Sequence, residues 1–416
     1  MRKLISGSRC RFCRHILEYS VIDLGMSPLC QKHIKPEHAN NMEKFYPLHA
    51  FICEQCWLMQ LEEFATPDEI FADEYAYFSS YAVSWLEHAR KYTDEMIDRF
   101  NFNQKSLVVE IASNDGYLLQ WFVEKGVPVL GVEPAINCAE AARVKGVRTE
   151  VKFFGKNAAT HLSEKYGKAN LLLGNNVLAH VPDINDFVAG MKIMLAPEGV
   201  ITMEFPHLLQ LINNNQFDTI YHEHFSYLSF IAVNRIFKYH EITLFDVEEL
   251  PTHGGSLRIY GRHNQDIEKE VSENVHKLLQ RELEMGFETL EFYSKFEERV
   301  IETKRKILEF LIQEKRNGKT VVGYGAPGKG NTLLNYCGVR TDFLDYTVDM
   351  SPHKQGNFLP GTHIPILHPE KIKETKPDYL FILPWNLKEE IMYQHSYIRK
   401  WGGKFVIPIP ELIVID

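Results

Sequence analysis

From Ser106 onward the chain alternates between two patterns. "SLVVEIAS" is a run of apolar and β-branched residues, as in a strand buried on both faces, and a glycine turn leads into the helical pattern "GYLLQWFVEKG". The strand "VPVLGVEP", the helix "NCAEAARVKG", the strand "NLLLGNNV", a helix around "INDFVAGMKIML" and the strand "GVITMEFP" follow. A strand pair around "ITLFDVEELP" and "GGSLRIYGR" closes the unit. Strands alternating with helices require βαβ crossovers and a mostly parallel sheet, so the fold class is α/β. After Gly318 a second such unit begins with the strand "TVVGYGA", the helix "NTLLNYCG" and the strand "DYTVDM", continues to "DYLFILPW" and ends in "KFVIPIPEL". The two units share no convincing sequence repeat. Between them, residues 265–317 are charged and carry apolar positions near a 3.6 period, which predicts two long helices with one docked and one wet face.

A chain of 416 residues suits two or three domains, and 45% apolar with 24% charged residues is ordinary for a globular protein. A net charge of −9 argues against a nucleic-acid surface. No apolar run approaches the ~20 residues that span a bilayer, so no membrane partner is expected. "MRKLISGSRC" lacks the apolar core of a secretory signal, and a cytoplasmic protein is expected.

The seven cysteines stand at 10, 13, 30, 53, 56, 138 and 337. Cys10 and Cys13 form one C-x-x-C pair, and Cys53 and Cys56 another. Two such knuckles offer four thiolates, a closed tetrahedral set that suits structural zinc. The 39 residues between the pairs exceed those of a compact zinc ribbon, so the fold must bring the knuckles together. The bland alternative is two unrelated pairs of reduced thiols. Cys30 is the spare, and "SPLCQ" offers it no partner.

"VVEIASNDGYLL" puts Glu110 at a strand end and Gly116 before a helix, with Ala112 and Asn114 at positions that prefer glycine. Glu133 ends the next strand, 17 residues after Gly116, where a carboxylate can accept two ribose hydroxyls. Asn175 and Asn176 follow at the end of a later strand. Acid, turn, acid reads better as a site for S-adenosylmethionine, which has no phosphate to cradle, than as an NAD fingerprint. "GYGAPGKGNT" satisfies two patterns. Gly323, Gly325 and Gly328 fit G-x-G-x-x-G with Asp349 21 residues later, while Gly323, Gly328 and Lys329 fit the start of a Walker A loop. Gly330 stands where that loop needs Ser or Thr, which weakens the ATPase reading. A glycine turn at a helix N-terminus with a lysine remains a good seat for a diphosphate. The alternative is a turn that only lets strand and helix pack.

Taken in order, "CRFC", "YPLHAFICEQC", "DEYAYFSSYAVSW", "EIASNDGYLL", "NNVLAHVPDINDF", "FDTIYHEHFSYLS", "HGGSLR", "GYGAPGKGNTLL" and "PGTHIPILHPE" resemble the S-adenosylmethionine-dependent C-methyltransferases that act on nucleotide-linked deoxysugars. The resemblance covers nearly the whole chain. It implies a small zinc-binding domain (1–70), a class I methyltransferase Rossmann-like domain (71–264), and a helical linker with a C-terminal Rossmann-like domain (265–416) that holds a nucleotide-sugar and no dinucleotide. The cofactors implied are S-adenosylmethionine, held by Glu110, Ala112, Asn114, Gly116, Glu133, Asn175 and Asn176, and structural Zn²⁺. The substrate implied is a nucleotide-linked keto-deoxysugar, held by Gly325, Gly328, Lys329, Asn331 and Asp349. Members of the family act on a 4-keto sugar by way of an enolate. Carbon methylation needs a base that is neutral near pH 7 and a donor or charge to steady the enolate oxygen.

By this resemblance His224 in "TIYHEHFSYLSF" is the base, with Tyr221 and Glu223 beside it. His180 is a second candidate, and Tyr77 a less secure one because Tyr75 and Tyr81 lie nearby. Tyr221 and His224 share a face if the segment is helical. Tyr221 and Glu223 share one if it is extended. A metal pair of His222 and His224 lacks a third ligand. Phe225, Tyr227 and Phe230 are read as core, and His253 in "THGGSLR" as a turn cap. Heteroatom methylation, epimerisation or silent nucleotide-sugar binding on the same scaffold stay open, as does the oligomeric state.

Overall fold

The computed structural model describes residues 7–66, 69 and 78–416. Tyr77 and Tyr75 lie outside the described residues. In chain order the strands are β1 (Tyr19–Ser27), β2 (Tyr46–Ile52) and β3 (Met59–Leu61), then β4 (Val108–Ile111), β5 (Val129–Val132), β6 (Thr149–Glu150), β7 (Ala169–Asn175) and β8 (Leu195–Pro206). The short β9 (Ser226–Tyr227) precedes the hairpin β10 (Ile242–Leu250) and β11 (Ser256–His263). The last unit holds β12 (Val321–Tyr324), β13 (Thr347–Val348), β14 (Ile366–Leu367), β15 (Tyr379–Ile382), β16 (Lys404–Ile407) and β17 (Ile413–Ile415).

Three sheets result. The largest has the order β10-β11-β8-β7-β4-β5-β6, parallel from β8 to β6, with β11 antiparallel to both neighbours. Its strand order reverses beside β4, which opens a crevice outside the carboxyl ends of β4 and β7. The C-terminal sheet, β14-β13-β12-β15-β16-β17, reverses beside β12 in the same way. The central parallel strands of both sheets are buried on both faces, which is why they read as continuous apolar runs in the sequence.

The antiparallel sheet β1-β2-β3-β9 joins distant parts of the chain, because Met59 pairs with Tyr227 and Gln60 with Ser226. The helical segment after β11 forms three helices where the periodicity predicts two: Glu273–Glu284, Leu290–Ser294 and Phe296–Arg316. Gly286, at a φ of +90°, turns the chain after the first. Among the described residues no helix is long and apolar enough to cross a membrane.

Candidate active site

The two knuckles are built alike. The amide of Arg14 returns to the Cys10 carbonyl at 3.0 Å, and that of Trp57 to the Cys53 carbonyl at 2.8 Å. Arg14 and Trp57 leave their knuckles in the left-handed region, at φ 65° and 60°. The four Sγ atoms lie within 4.8 Å of one another, with Cys10–Cys56 and Cys13–Cys53 at 3.5 Å. Tetrahedral zinc with Zn–S bonds of about 2.3 Å sets its sulfurs about 3.8 Å apart, so the residues fit the ion. Gln60 Nε2 donates to Cys10 Sγ at 3.2 Å and orients that thiolate from outside.

A cavity of about 590 Å³ opens at the crevice of the largest sheet, and its wall also takes Gln31 from the N-terminal unit and Gly328, Lys329 and Asn386 from the C-terminal unit. On the methyl-donor side, the turn after β4 holds Ala112 at φ 56° and Asn114 at φ 48°, the left-handed conformation that made glycine the expected residue there. Asn114 is kept in place from three directions. Its amide donates to Glu133 Oε2 at 2.8 Å, its Oδ1 accepts from the Ser79 amide at 2.9 Å, and its Nδ2 approaches Cys138 Sγ at 3.7 Å. Gly116 stands at φ 74°, which favours glycine, and a Cβ there would crowd the Ala142 and Val147 side chains at 3.1 Å.

Glu133 accepts the amides of Asn114 and of Ala135 (2.9 Å), one on each oxygen. Burial pushes its carboxyl up to about 7 against those two bonds. It lines the cavity, as do Ala112, Asn114, Asn175 and Asn176. Glu110 is fully buried behind this wall, its carboxyl held well above the usual range by burial first and then by Glu133 and Asp115. Both amide atoms of Asn175 are buried without a hydrogen-bond partner. Such atoms inside a cavity that presents carboxylate and amide groups fit a polar nucleoside.

His224 sits in a turn after a single helical turn (Phe217–Thr219), neither in a helix nor in a strand. Its Nδ1 faces the Thr219 carbonyl at 2.7 Å. A carbonyl only accepts, so Nδ1 carries the proton and Nε2 keeps its lone pair. The imidazole is 4.0 Å, centroid to centroid, from the Tyr221 ring and 4.6 Å edge-on from His180. Burial lowers its pKa to about 4, the Thr219 bond opposes the drop, and the Lys329 charge adds to it. His180 is held well below the usual range by burial and by His224. Both rings, with Tyr221 and Glu223, line the cavity. His222 turns away to the Pro47 carbonyl at 3.1 Å and the edge of Tyr46, so the two histidines form no metal pair. Phe225 and Phe230 are fully buried core residues, whereas Tyr227 also faces the His224 ring at 6.4 Å.

The C-terminal unit supplies the third wall. Gly328, which opens the helix Gly328–Cys337, and Lys329 line the cavity. Lys329 Nζ donates to Asn386 Oδ1 at 2.8 Å and lies 4.8 Å over the Trp385 ring. Gly325, Asn331 and Asp349 lie behind this wall. Asp349 is occupied by the amides of Ala326 and Ser351, both at 2.8 Å. Asn331 is buried with both amide atoms unpartnered, and a Cβ on Gly325 would meet Pro384 at 2.6 Å.

Several residues at the site escape a reading of the sequence. Cys30 does have a partner, since its thiol approaches Glu223 Oε1 at 3.5 Å. His253 is more than a turn cap: it lines the cavity, takes the Asn176 amide N–H on Nε2 at 3.0 Å and meets the Trp85 ring edge-on at 5.0 Å. Asp218, Trp385 and Lys354 bear no motif. Trp385 could have been suspected from its place just past a parallel strand at a reversal of strand order.

Comparison with known proteins agrees with this geometry. Residues 10–71 match a zinc-binding domain, 85–241 a methyltransferase domain, and 251–410 the family described as a C-methyltransferase C-terminal domain. The chain is 36% identical to the C-methyltransferase NovU of Streptomyces niveus across 98% of this chain and 96% of that one. A ubiquinone biosynthesis O-methyltransferase of Rhodopseudomonas palustris is 23% identical over 26% of this chain and 46% of its own. Among solved structures, the magnesium protoporphyrin IX methyltransferase of Synechocystis PCC 6803 with bound SAH matches with a TM-score of 0.35 and 12% identity, over 44% of this chain and 84% of that one. The protein belongs to the S-adenosylmethionine-dependent C-methyltransferases, with a zinc-binding domain at its N-terminal end.

Proposed function

We propose that the enzyme methylates carbon 3 of a nucleotide-linked 4-keto-6-deoxysugar, with His224 as the base. The observation that carries this is the tautomer of His224. A ring with Nδ1–H tied to a main-chain carbonyl keeps a lone pair on Nε2, inside a cavity shared with the cofactor residues. The 4-ketone acidifies the C3 hydrogen; Nε2 takes that proton, the C3–H electron pair forms a C3=C4 double bond, and the carbonyl π pair moves onto O4. Bound S-adenosylmethionine supplies an electrophilic methyl group to the enolate carbon. Glu133 would accept the ribose hydroxyls, and Glu110, Ala112, Asn114, Gly116, Asn175 and Asn176 would form the rest of that seat. Tyr221 and Lys329 are the donors available to the enolate oxygen, with Glu223, His180 and Tyr77 as further active-site groups.

The C-terminal unit (265–416) would hold the nucleotide diphosphate at the glycine turn. Gly328 and Lys329 would do so from the wall, and Gly325, Asn331 and Asp349 by shaping the turn behind it. The zinc unit (1–70) and the methyltransferase unit (71–264) would complete the cavity. A nucleotide-sugar substrate would place the enzyme in the cytoplasm. The test is incubation with S-adenosylmethionine and a panel of dTDP- and GDP-linked 4-keto-6-deoxysugars in D2O, read by mass spectrometry and NMR. One methyl gained on carbon, and lost with His224→Asn, is the expected result. Methyl on oxygen or nitrogen, or deuterium uptake without methylation, would overturn it.

A further inference from the structure

Asp218 immediately precedes the residue whose carbonyl holds His224, and it is fully buried. Its Oδ2 accepts the indole N–H of Trp385 at 2.7 Å, a bond between residues 167 apart in sequence. Trp385 begins a short turn just past β15, in the C-terminal unit. A chain of two short bonds therefore runs from that unit to the base: Trp385 Nε1–H to Asp218, then along the backbone to Thr219, whose carbonyl takes the Nδ1–H of His224 at 2.7 Å. The indole is itself confined. Lys329 Nζ sits over its ring, and Gly254 lies so close that a Cβ there would reach within 2.6 Å of it. Its neighbour Asn386 takes the Lys329 ammonium.

We propose that Trp385 and Asp218 are positioning residues for the base: they fix the Thr219 carbonyl, and through it the tautomer and aim of His224. This rests on the assignment of His224 as base. Neither residue needs to touch substrate. The arrangement makes proton abstraction depend on the unit proposed to hold the nucleotide, since Lys329, which lines the cavity beside Asn386, sits over the Trp385 ring. Asp218 can serve as an acceptor whether or not it is charged. Burial lifts its carboxyl to about 7, with Lys329 and the indole N–H pulling it back. The groups that face His224 are the Thr219 carbonyl, the rings of Tyr221, His180 and Tyr227, and the Lys329 charge.

The first measurement needs no substrate. In protein labelled with ¹⁵N-histidine, with the His224 signals assigned by difference from His224→Asn, the wild type should show one imidazole nitrogen protonated and the other bare. In Trp385→Phe, which keeps the ring and drops the N–H, and in Asp218→Leu, the two shifts should converge as the Nε2–H tautomer becomes populated. Asp218→Asn keeps an acceptor oxygen and should restore the wild-type pattern. The second measurement is exchange of the substrate C3 hydrogen in D2O with S-adenosylhomocysteine bound. Leaving one partner of a buried hydrogen bond unsatisfied predicts a drop on the order of 10- to 100-fold in Trp385→Phe and Asp218→Leu, non-additive in the double variant, with S-adenosylhomocysteine affinity within about twofold of wild type. An unchanged tautomer in both variants would overturn the proposal, as would equal losses in Asp218→Asn and Asp218→Leu. Absence of exchange in the wild type with every nucleotide-sugar would count against the proposed reaction alone, because the tautomer measurement stands without it.

Discussion

Replacing Glu133 by Gln should separate stability from cofactor affinity. Each carboxylate oxygen of Glu133 takes one main-chain amide, from Asn114 and from Ala135, in a position that is 5% exposed. Its carboxyl is raised from 4.5 to about 7 in the folded chain, which works against the ionised form by roughly 3 kcal/mol at pH 8. The folded state therefore binds this proton more tightly than the unfolded state. The associated stability is present below about pH 4.5 and is lost as pH rises through about 7. Gln never ionises, so at pH 8 it avoids that penalty. It also turns an NH2 toward one of the two amides and leaves that donor unpaired, at about 1–3 kcal/mol. The two effects nearly cancel at pH 8. At pH 5, where the wild-type carboxyl is already neutral, only the loss remains. Urea denaturation should then show Glu133→Gln less stable than wild type by about 1–3 kcal/mol at pH 5 and close to it at pH 8. Calorimetric titration with S-adenosylhomocysteine at pH 8 should show affinity down by about 10- to 100-fold, because hydroxyls bound to a carboxylate lose a charged acceptor. A stability gap that is the same at both pH values would refute the account of Glu133 burial. Affinity within twofold of wild type would refute its role at the ribose.

At saturating cofactor, the turnover rate should stay flat from pH 8 down to about 5, because burial keeps His224 neutral to about 4; a break near pH 6.5 would show that a less buried histidine is the base. Metal analysis should find one zinc per chain, released by Cys53→Ala. Activity should be lost with the zinc although the ion takes no part in the chemistry, since β3 follows the second knuckle directly and pairs with β9, two residues past His224. Full activity in a zinc-free chain would sink that coupling. Glu282→Gln should destabilise the fold by about 1–3 kcal/mol, because this fully buried side chain accepts the amides of Phe230 and Ile231, one on each oxygen, and Gln turns an NH2 toward one of them; an unchanged stability in urea denaturation would contradict it.

The parts of the fold that were legible in the sequence are those with local causes. Alternating strand and helix patterns set both parallel sheets, since a strand buried on two faces must be apolar throughout and its crossover must be helical. The cysteine knuckles show because a metal site needs its ligands in short, stereotyped turns. The acidic residues proposed for the cofactor seat, Glu110 and Glu133, show for a similar reason, being placed at the carboxyl ends of β4 and β5. The short helix Leu290–Ser294 was missed because five residues hold little more than one turn, too few to show a period.

What the sequence hides is everything that depends on who meets whom across the chain. Cys30 has no partner within its own segment, and it finds one 193 residues away in Glu223. His253 looks like a turn residue because the glycines around it do make a turn, and only the packing of Trp85 and Asn176 shows that the turn faces the cavity. The same is true of His224, proposed as the base. Its residue type suggests proton transfer, but its Nδ1 is tied to the Thr219 carbonyl, and that carbonyl lies between a strand pairing with the zinc unit on one side and the Trp385–Asp218 bond on the other. A single cavity wall is thus assembled from three units, none of which contains a complete site. Long-range ties of this kind leave no periodic trace in the sequence, because each is made by one side chain whose local surroundings are already satisfied by its own turn or strand. The pairing of β3 with β9 and the Trp385–Asp218 bond therefore hold the turn that carries His224 from opposite sides.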